Sequence, residues 1–163
     1  MKKTLQSGIL ALCCLMLYGC PYESTVPISK PSIPVEERLL GQWVSDAQSY
    51  NEYFVSQADK MHYKVAQRAI TGHTAEYLGH LSEIRGVTFL NLYSDSTKTY
   101  YLYRINLNTS EARFSLMSVS NKLSEQFTSS AVLREFVEKN MNLRSFYDSE
   151  GPEEFIKLHV NKP

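Results

Sequence analysis

The chain has 163 residues, and its 17 basic and 17 acidic side chains cancel to a formal net charge of zero. Hydrophobic residues make up 43% of it and aromatic residues 12%, which is typical of one globular domain rather than of a disordered tail or a fibrous repeat. The balanced charge offers no basic face of the kind that binds nucleic acid, so no nucleic-acid partner is expected. No apolar run reaches the roughly 18 residues that a membrane-spanning helix needs.

Residues 1–19 have the layout of a secretory signal peptide. Lys2 and Lys3 form a short positive start, and an apolar stretch follows over residues 9–18. Such a stretch is too short to span a membrane and is typical of a segment that is removed on export. The mature protein is therefore expected to act outside the cytoplasm.

The signal ends in Leu17-Tyr18-Gly19-Cys20, which resembles the lipobox of bacterial lipoproteins. In that family the cysteine is lipidated and becomes the first mature residue, so the resemblance implies lipidation at Cys20. Tyr18 departs from the family pattern, in which small or aliphatic residues are usual at that position. The alternative is an ordinary signal peptide that is cut elsewhere, with Cys20 incidental.

The cysteine count favours the lipoprotein interpretation. Cys13, Cys14 and Cys20 all lie at or before the proposed cleavage site, so the mature chain cannot form an internal disulfide. The resemblance implies a diacyl or triacyl N-terminus, palmitate among its chains, and stable anchoring takes more than one chain. It also implies a place in the bacterial cell envelope, on the inner or outer membrane, facing the periplasm.

A proline-rich segment follows the cysteine. Four of the six prolines lie between residues 21 and 35, at a spacing that lets neither helix nor sheet propagate. Such a composition favours an extended polyproline conformation. Residues 20–35 are therefore interpreted as a lipidated cysteine and a tether that holds the domain off the membrane, with a linear docking motif as the alternative.

The remaining chain, residues 36–163, is patterned as one β domain. A short helical turn is expected at 36–40, and segments with strand character follow, separated by turn signals: 41–45, 62–70, 75–81, 87–93, 100–107 and 113–119. Short strands at steady spacing predict an antiparallel meander that closes into a barrel or a sandwich.

One segment breaks the strand pattern. Between Ser130 and Met141 the apolar residues step by three and four, which predicts an amphipathic helix. Its apolar stripe comprises Val132, Leu133, Phe136, Val137 and Met141. We expect Phe136 and Val137 to face the sheet. Residues 153–160 then have the character of a final strand.

The start of this domain resembles the Gly-x-Trp opening of lipocalins and related calycin barrels, with Gly41 and Trp43 in the motif positions. The resemblance implies a mainly β fold: a lipocalin-like antiparallel meander barrel of about eight strands, with one α-helix before the last strand. It also implies that Trp43 plugs the barrel floor and that a late basic residue, here Lys157, packs over it. The Thr-Asp-Tyr motif of many lipocalins is absent, so a merely similar sheet is the alternative.

The candidate ligand-binding residues lie in the segment 100–107. Their side chains alternate onto one face, which is expected to line the barrel interior: Tyr101, Tyr103, Ile105 and Leu107. The chain holds 11 tyrosines in all. Tyrosine suits ligand cavities and protein interfaces, but it is also simply favoured on half-buried strands, so three explanations stay open.

The sequence carries no recognisable catalytic or phosphate-binding motif, so neither enzymatic activity nor a cofactor is expected. A triad of scattered Ser, His and Asp stays open as a minor alternative. The nearest metal-like group comprises His73, Glu76, His80 and Glu83. On a helix these residues would form one stripe, but on a strand they divide between two faces, so solvated strand residues are expected rather than a metal site.

Two non-enzymatic functions follow from these features. The first is a lipid-anchored module that binds or carries a small apolar or amphipathic ligand in the envelope. The second is an interaction module with a filled barrel that meets an envelope protein, as in envelope assembly or inhibition. A tyrosine-lined pocket would favour the first, and a packed interior with an exposed aromatic patch would favour the second.

Overall fold

The structure is a computed structural model that describes residues 22–46, 51–107 and 112–158. The predicted signal peptide and Cys20 lie outside the described residues, so cleavage and lipidation stay predictions. No described helix is long and apolar enough to cross a membrane.

The described part contains nine strands, one α-helix and two short 3-10 helices. The strands are β1 (Glu23–Ser24), β2 (Gly41–Ser45), β3 (Glu52–Gln57), β4 (Tyr63–Arg68), β5 (Thr74–Ile84), β6 (Val87–Ser94), β7 (Thr99–Leu107), β8 (Arg113–Ser118) and β9 (Glu153–Lys157). Helix α1 (Ser130–Asn140) lies between β8 and β9, and the 3-10 helices span Glu37–Leu39 and Arg144–Phe146.

Strands β2 to β9 form a closed antiparallel barrel. Each strand pairs with the next along the chain, and β9 returns to pair with β2, where Lys157 lies opposite Trp43. Closure leaves these eight strands without a free edge, which protects a sheet from pairing with other chains. The predicted fold class is therefore confirmed: mainly β, eight barrel strands, and one helix before the last strand.

A two-residue hairpin shows how local sequence sets the register. Ile84 and Val87 pair at the end of β5 and the start of β6, so only Arg85 and Gly86 make the turn. Both adopt positive φ, 49° and 78°, as the tight turn between antiparallel strands requires. Gly86 meets that requirement at no steric cost, whereas Arg85 is one of two described non-glycine residues with positive φ.

The hydrophobic residues divide between two clusters, one on each side of the barrel wall. The inner cluster fills part of the barrel and contains Leu39, Trp43, Tyr63, Val65, Leu81, Ile105, Phe114 and Phe155. The outer cluster lies between the barrel and α1 and contains Tyr22, Ile28, Ile84, Phe89, Leu102, Val119, Leu133, Val137, Met141, Phe146 and Tyr147.

Helix α1 packs on the outer face of the barrel, as predicted. Val137 and Leu133 are buried in the outer cluster, and Phe136 is half-buried against it. The prediction that Val132 belongs to the buried stripe is wrong, because its side chain is 54% exposed. The buried face of α1 is narrower than the apolar face that the sequence predicted, because the flank that carries Val132 remains open to solvent.

Residues 22–35 of the proline-rich segment pack on the barrel, which corrects the prediction that this part of residues 20–35 is a spacer. Tyr22 and Ile28 are buried in the outer cluster. Strand β1 pairs with β7, where Glu23 lies opposite Tyr101. The Ile28 N–H donates to Asn91 Oδ1 at 2.8 Å. In its described part, the segment pairs with the sheet only over the two residues of β1, between Pro21 and Pro27, and side chains on the barrel wall supply further hydrogen bonds to it.

Candidate ligand-binding cavity

One end of the barrel is closed by a floor built on Trp43. The Trp43 indole Nε1–H donates to the Leu39 carbonyl at 2.9 Å, which fixes the 3-10 helix Glu37–Leu39 across the barrel end. Lys157 Nζ lies 5.1 Å from the Trp43 ring centroid and donates to the Arg38 carbonyl at 3.0 Å. The ammonium therefore closes the floor by a cation–π contact and a hydrogen bond.

Gly41 makes this arrangement possible. Its φ is +131°, a conformation that residues with a side chain rarely adopt. A Cβ on Gly41 would also lie 2.9 Å from Lys157 Cε, closer than carbon atoms can approach without displacement. The structure thus brings together the three residues singled out as the floor motif, Gly41, Trp43 and Lys157.

Above the floor the barrel encloses a cavity of about 340 Å³. This volume is at the lower end of the range in which small-molecule sites fall, roughly 300–1,000 Å³. Most of the wall is apolar, and the side chains that form it come from the 3-10 helix and six of the strands: Leu39, Val55, Val65, Leu90, Leu92, Ile105, Phe114, Leu116 and Phe155.

Strand β7 supplies three of the four predicted ligand-binding residues. Tyr101, Tyr103 and Ile105 line the cavity, whereas Leu107 packs against the inner cluster below it and does not line the cavity. Leu102 points the other way and is fully buried in the outer cluster. The alternation that the sequence predicted for this strand is therefore the one that the structure shows.

An aromatic wall runs from the floor toward the open end. The ring centroids of Trp43 and Phe114 lie 4.6 Å apart, edge to face. Phe114 stacks on Phe155 at 4.8 Å, and Tyr53 meets Phe155 edge to face at 5.3 Å. One side of the cavity is therefore a continuous row of aromatic rings in mutual contact.

Three tyrosine hydroxyls open into the cavity without a protein partner. Within the described residues, the hydroxyls of Tyr77, Tyr101 and Tyr103 make no hydrogen bond. In contrast, Tyr63 Oη accepts from the Glu36 N–H at 2.7 Å. Burial is the main factor that raises the pKa of Tyr77 and, more strongly, of Tyr103. Both phenols therefore stay neutral at physiological pH and keep a proton to donate.

The polar end of the cavity lies opposite the floor. Glu153 begins β9, and Glu23 lies beside Tyr101 near the start of β7, whereas β2 starts at the floor with Gly41. Because neighbouring strands are antiparallel, the starts of β7 and β9 lie at the far end of the barrel. Both carboxylates line the cavity there, and we call this end the mouth.

The mouth carries negative charge. The charge of Glu153 acts with burial to raise the pKa of Tyr53 and of Tyr103. The Ser45 hydroxyl donates a hydrogen bond to Glu153. No Lys, Arg or His is among the described residues that line the cavity.

The four residues of the metal-like group, His73, Glu76, His80 and Glu83, do not come together at one site. Glu76 forms an ion pair with Lys64 at 3.0 Å on the outer wall. The prediction that His80 is a solvated strand residue is wrong. Its side chain is only 3% exposed, and its Nε2 lies 2.9 Å from the Ser29 carbonyl. The described residues contain no group of three or more His, Cys, Asp or Glu side chains placed to hold a metal ion.

Sequence reasoning missed much of the polar lining. Tyr53 lies on β3, a strand that was not predicted although Tyr53 and Val55 alternate toward the interior. Glu23 was assigned to the tether, and its place at the mouth depends on the pairing of β1 with β7. The alternation of Tyr53 and Val55 could have predicted β3. No local pattern indicates that Glu23 lies at the mouth.

Comparisons of the chain with protein-family models, with curated proteins and with solved structures found no match.

Proposed function

We propose that this protein is a lipid-anchored lipoprotein of the bacterial cell envelope that binds or carries a small apolar or amphipathic ligand inside a lipocalin-like barrel. The observation that carries the proposal is the cavity of about 340 Å³ above the Trp43 floor. An eight-stranded barrel has room either for side chains alone or for one small ligand. Here side chains leave space, and that space favours a ligand-binding module over the alternative interaction module, which assumes a filled barrel.

The floor supports the comparison with lipocalins. A short 3-10 turn precedes Gly41 and Trp43, and a late basic residue, Lys157, lies over the indole ring. The helix α1 precedes the last strand and packs on the barrel wall. These features occur in the order that the resemblance implies, so we assign the barrel to the lipocalin-like type as part of the proposal.

The N-terminal segment relates the proposed anchor to the cavity. Tyr22 is fixed by a backbone hydrogen bond to the Val119 carbonyl at 3.1 Å, and Glu23 lines the mouth. Three residue steps separate Cys20 from Glu23, and an extended chain covers at most about 11 Å in that distance. A lipid on Cys20 would therefore place the mouth close to the membrane surface and would let a ligand exchange with the bilayer.

Native mass spectrometry of the gently purified full chain tests the ligand. We expect the wild-type protein to carry a co-purified lipid-like or aromatic molecule, because the unpaired hydroxyls and apolar wall favour an occupant. Tyr103→Ala should reduce the bound fraction severalfold, whereas Tyr93→Ala, at a site of β6 outside the cavity lining, should leave it unchanged. A bare wild-type mass, together with no binding of added amphiphiles, would refute the proposal.

A further inference from the structure

We propose that the cavity selects a single-chain amphiphile with a positively charged amine head and discriminates against fatty-acid anions. This inference rests on the proposed function and concerns the charge of the ligand, which the function alone leaves open. It starts from the two ends of the cavity, whose chemistry differs.

The floor and lower wall accept only the apolar part of a ligand. Phe114 and Phe155 stack there, and Leu39, Val65 and Ile105 complete the lower lining. Two basic side chains belong to the floor, and neither lines the cavity: Lys157 contacts the Trp43 ring and the Arg38 carbonyl, and Arg38 forms an ion pair with Glu36. A carboxylate head that entered first would meet no basic side chain in the described lining at this end, and both floor cations already have partners.

The mouth accepts the head group. Glu23 and Glu153 are the only charged side chains among the described residues that line the cavity, and both are acidic. An anion at this end would meet like charge without a compensating cation among the described lining residues, which opposes its binding. A protonated amine would instead be attracted by both carboxylates. An alkylamine stays protonated at neutral pH, as the lysine ammonium does.

The tyrosines strengthen the same preference. Tyr77 and Tyr101 pack edge to face with ring centroids 6.1 Å apart, and both line the cavity near the mouth. Aromatic faces attract cations through the ring quadrupole, and phenol oxygens without a partner accept hydrogen bonds from an ammonium group. The volume limits the size, because about 340 Å³ suits a drug-sized molecule rather than a lipid with two chains.

Three probes with the same alkyl chain test the inference: dodecylamine, dodecanol and dodecanoate, each below the concentration at which it forms micelles. The full chain is held in an amphipathic polymer instead of a detergent, and binding is followed at neutral pH by calorimetry. Emission from Trp43, the only tryptophan, gives a second readout at the cavity floor. We expect dodecylamine to bind at least about tenfold more tightly than dodecanoate, with dodecanol between them.

The double variant Glu23→Gln/Glu153→Gln should bring dodecylamine and dodecanoate within about threefold of each other, because both carboxylates are lost while the shape is kept. Dodecanol binding should not change, which shows that the cavity is intact. The control Glu76→Gln/Glu135→Gln removes two charges outside the cavity and should keep the full preference.

Two outcomes overturn the proposal in different ways. If dodecanol and dodecanoate bind and dodecylamine binds no more tightly than dodecanoate, the charge selection is wrong while the ligand-binding function stands. If none of the three probes binds, the proposed function fails and the inference fails with it.

Discussion

His80 shows how a single outward-pointing side chain couples the N-terminal segment to the barrel. It lies on β5 with only 3% of its surface exposed, and its Nε2 lies 2.9 Å from the Ser29 carbonyl. The ring also packs edge to face against His62 and Tyr100. Burial lowers the pKa of His80, the Ser29 hydrogen bond partly opposes this, and the charge of His62 lowers it further. The folded protein therefore favours neutral His80.

The lowered pKa predicts a loss of stability in acid. An unfolded histidine takes up a proton near pH 6.5, whereas folded His80 does so only at lower pH. Below about pH 6.5 the unfolded state thus binds more protons, and the free energy of unfolding falls as the pH drops. Between pH 8 and pH 5, we expect the Tm of His80→Gln to fall less than that of the wild type. His73→Gln, at an exposed loop position, should behave like the wild type; equal losses in all three proteins would contradict this account.

At the scale of elements, the N-terminal segment is the part whose role changes most. Ile28 is completely buried in the outer cluster, and Asn91 links the segment to the wall by accepting from the Ile28 N–H and donating to Ser82 Oγ at 2.9 Å. Ile28→Ala should lower the free energy of unfolding by about 2–5 kcal/mol. Ile70→Ala is the matched control, since that side chain is 75% exposed and should cost less than about 0.5 kcal/mol.

Urea denaturation of the two variants measures this difference. Equal midpoints for Ile28→Ala and Ile70→Ala would mean that the segment contributes no packing energy and acts as a spacer after all. A selective loss in Ile28→Ala would show that the domain begins at the segment and not at residue 36.

The docking of the proline-rich segment is a feature that the sequence did not predict. The strand alternation around Tyr103 and the helical spacing around Val137 are local patterns, and both predicted most of the inward or buried face. Each included one residue too many, Leu107 for the cavity and Val132 for the helix. The docking of the proline-rich segment depends instead on polar residues of other strands, Asn91 and His80. The strand pattern marks neither as its partner, and it predicted that His80 is solvated. The cavity is harder still to predict from the sequence, because its volume is the space that remains after all interior side chains are placed.

At the scale of the whole molecule, the docked segment orients the barrel relative to the proposed anchor. The chain leaves Cys20, reaches the wall at Tyr22 and passes the mouth at Glu23, and it continues along the wall to the floor end, where the Val35 N–H donates to the Lys60 carbonyl at 3.0 Å. The mouth is therefore expected to face the bilayer and the floor to point away from it. The strands that separate the two ends span roughly 20 Å.

Fluorescent labels at the two ends of the barrel test this orientation. The β6–β7 turn lies at the mouth end and the β3–β4 loop at the floor end, so Thr97→Cys and Lys60→Cys place a dye at exposed positions near each. In the lipidated protein on vesicles with a quencher in the lipid headgroups, we expect strong quenching at position 97 and weak quenching at position 60. Cys20→Ala should abolish vesicle binding and quenching at both positions.

A flexible insert after Pro21 should reduce the contrast between the labels, because the short reach from the anchor is what holds the mouth at the membrane. Equal quenching at the two ends without the insert would show that the docked segment does not set the orientation.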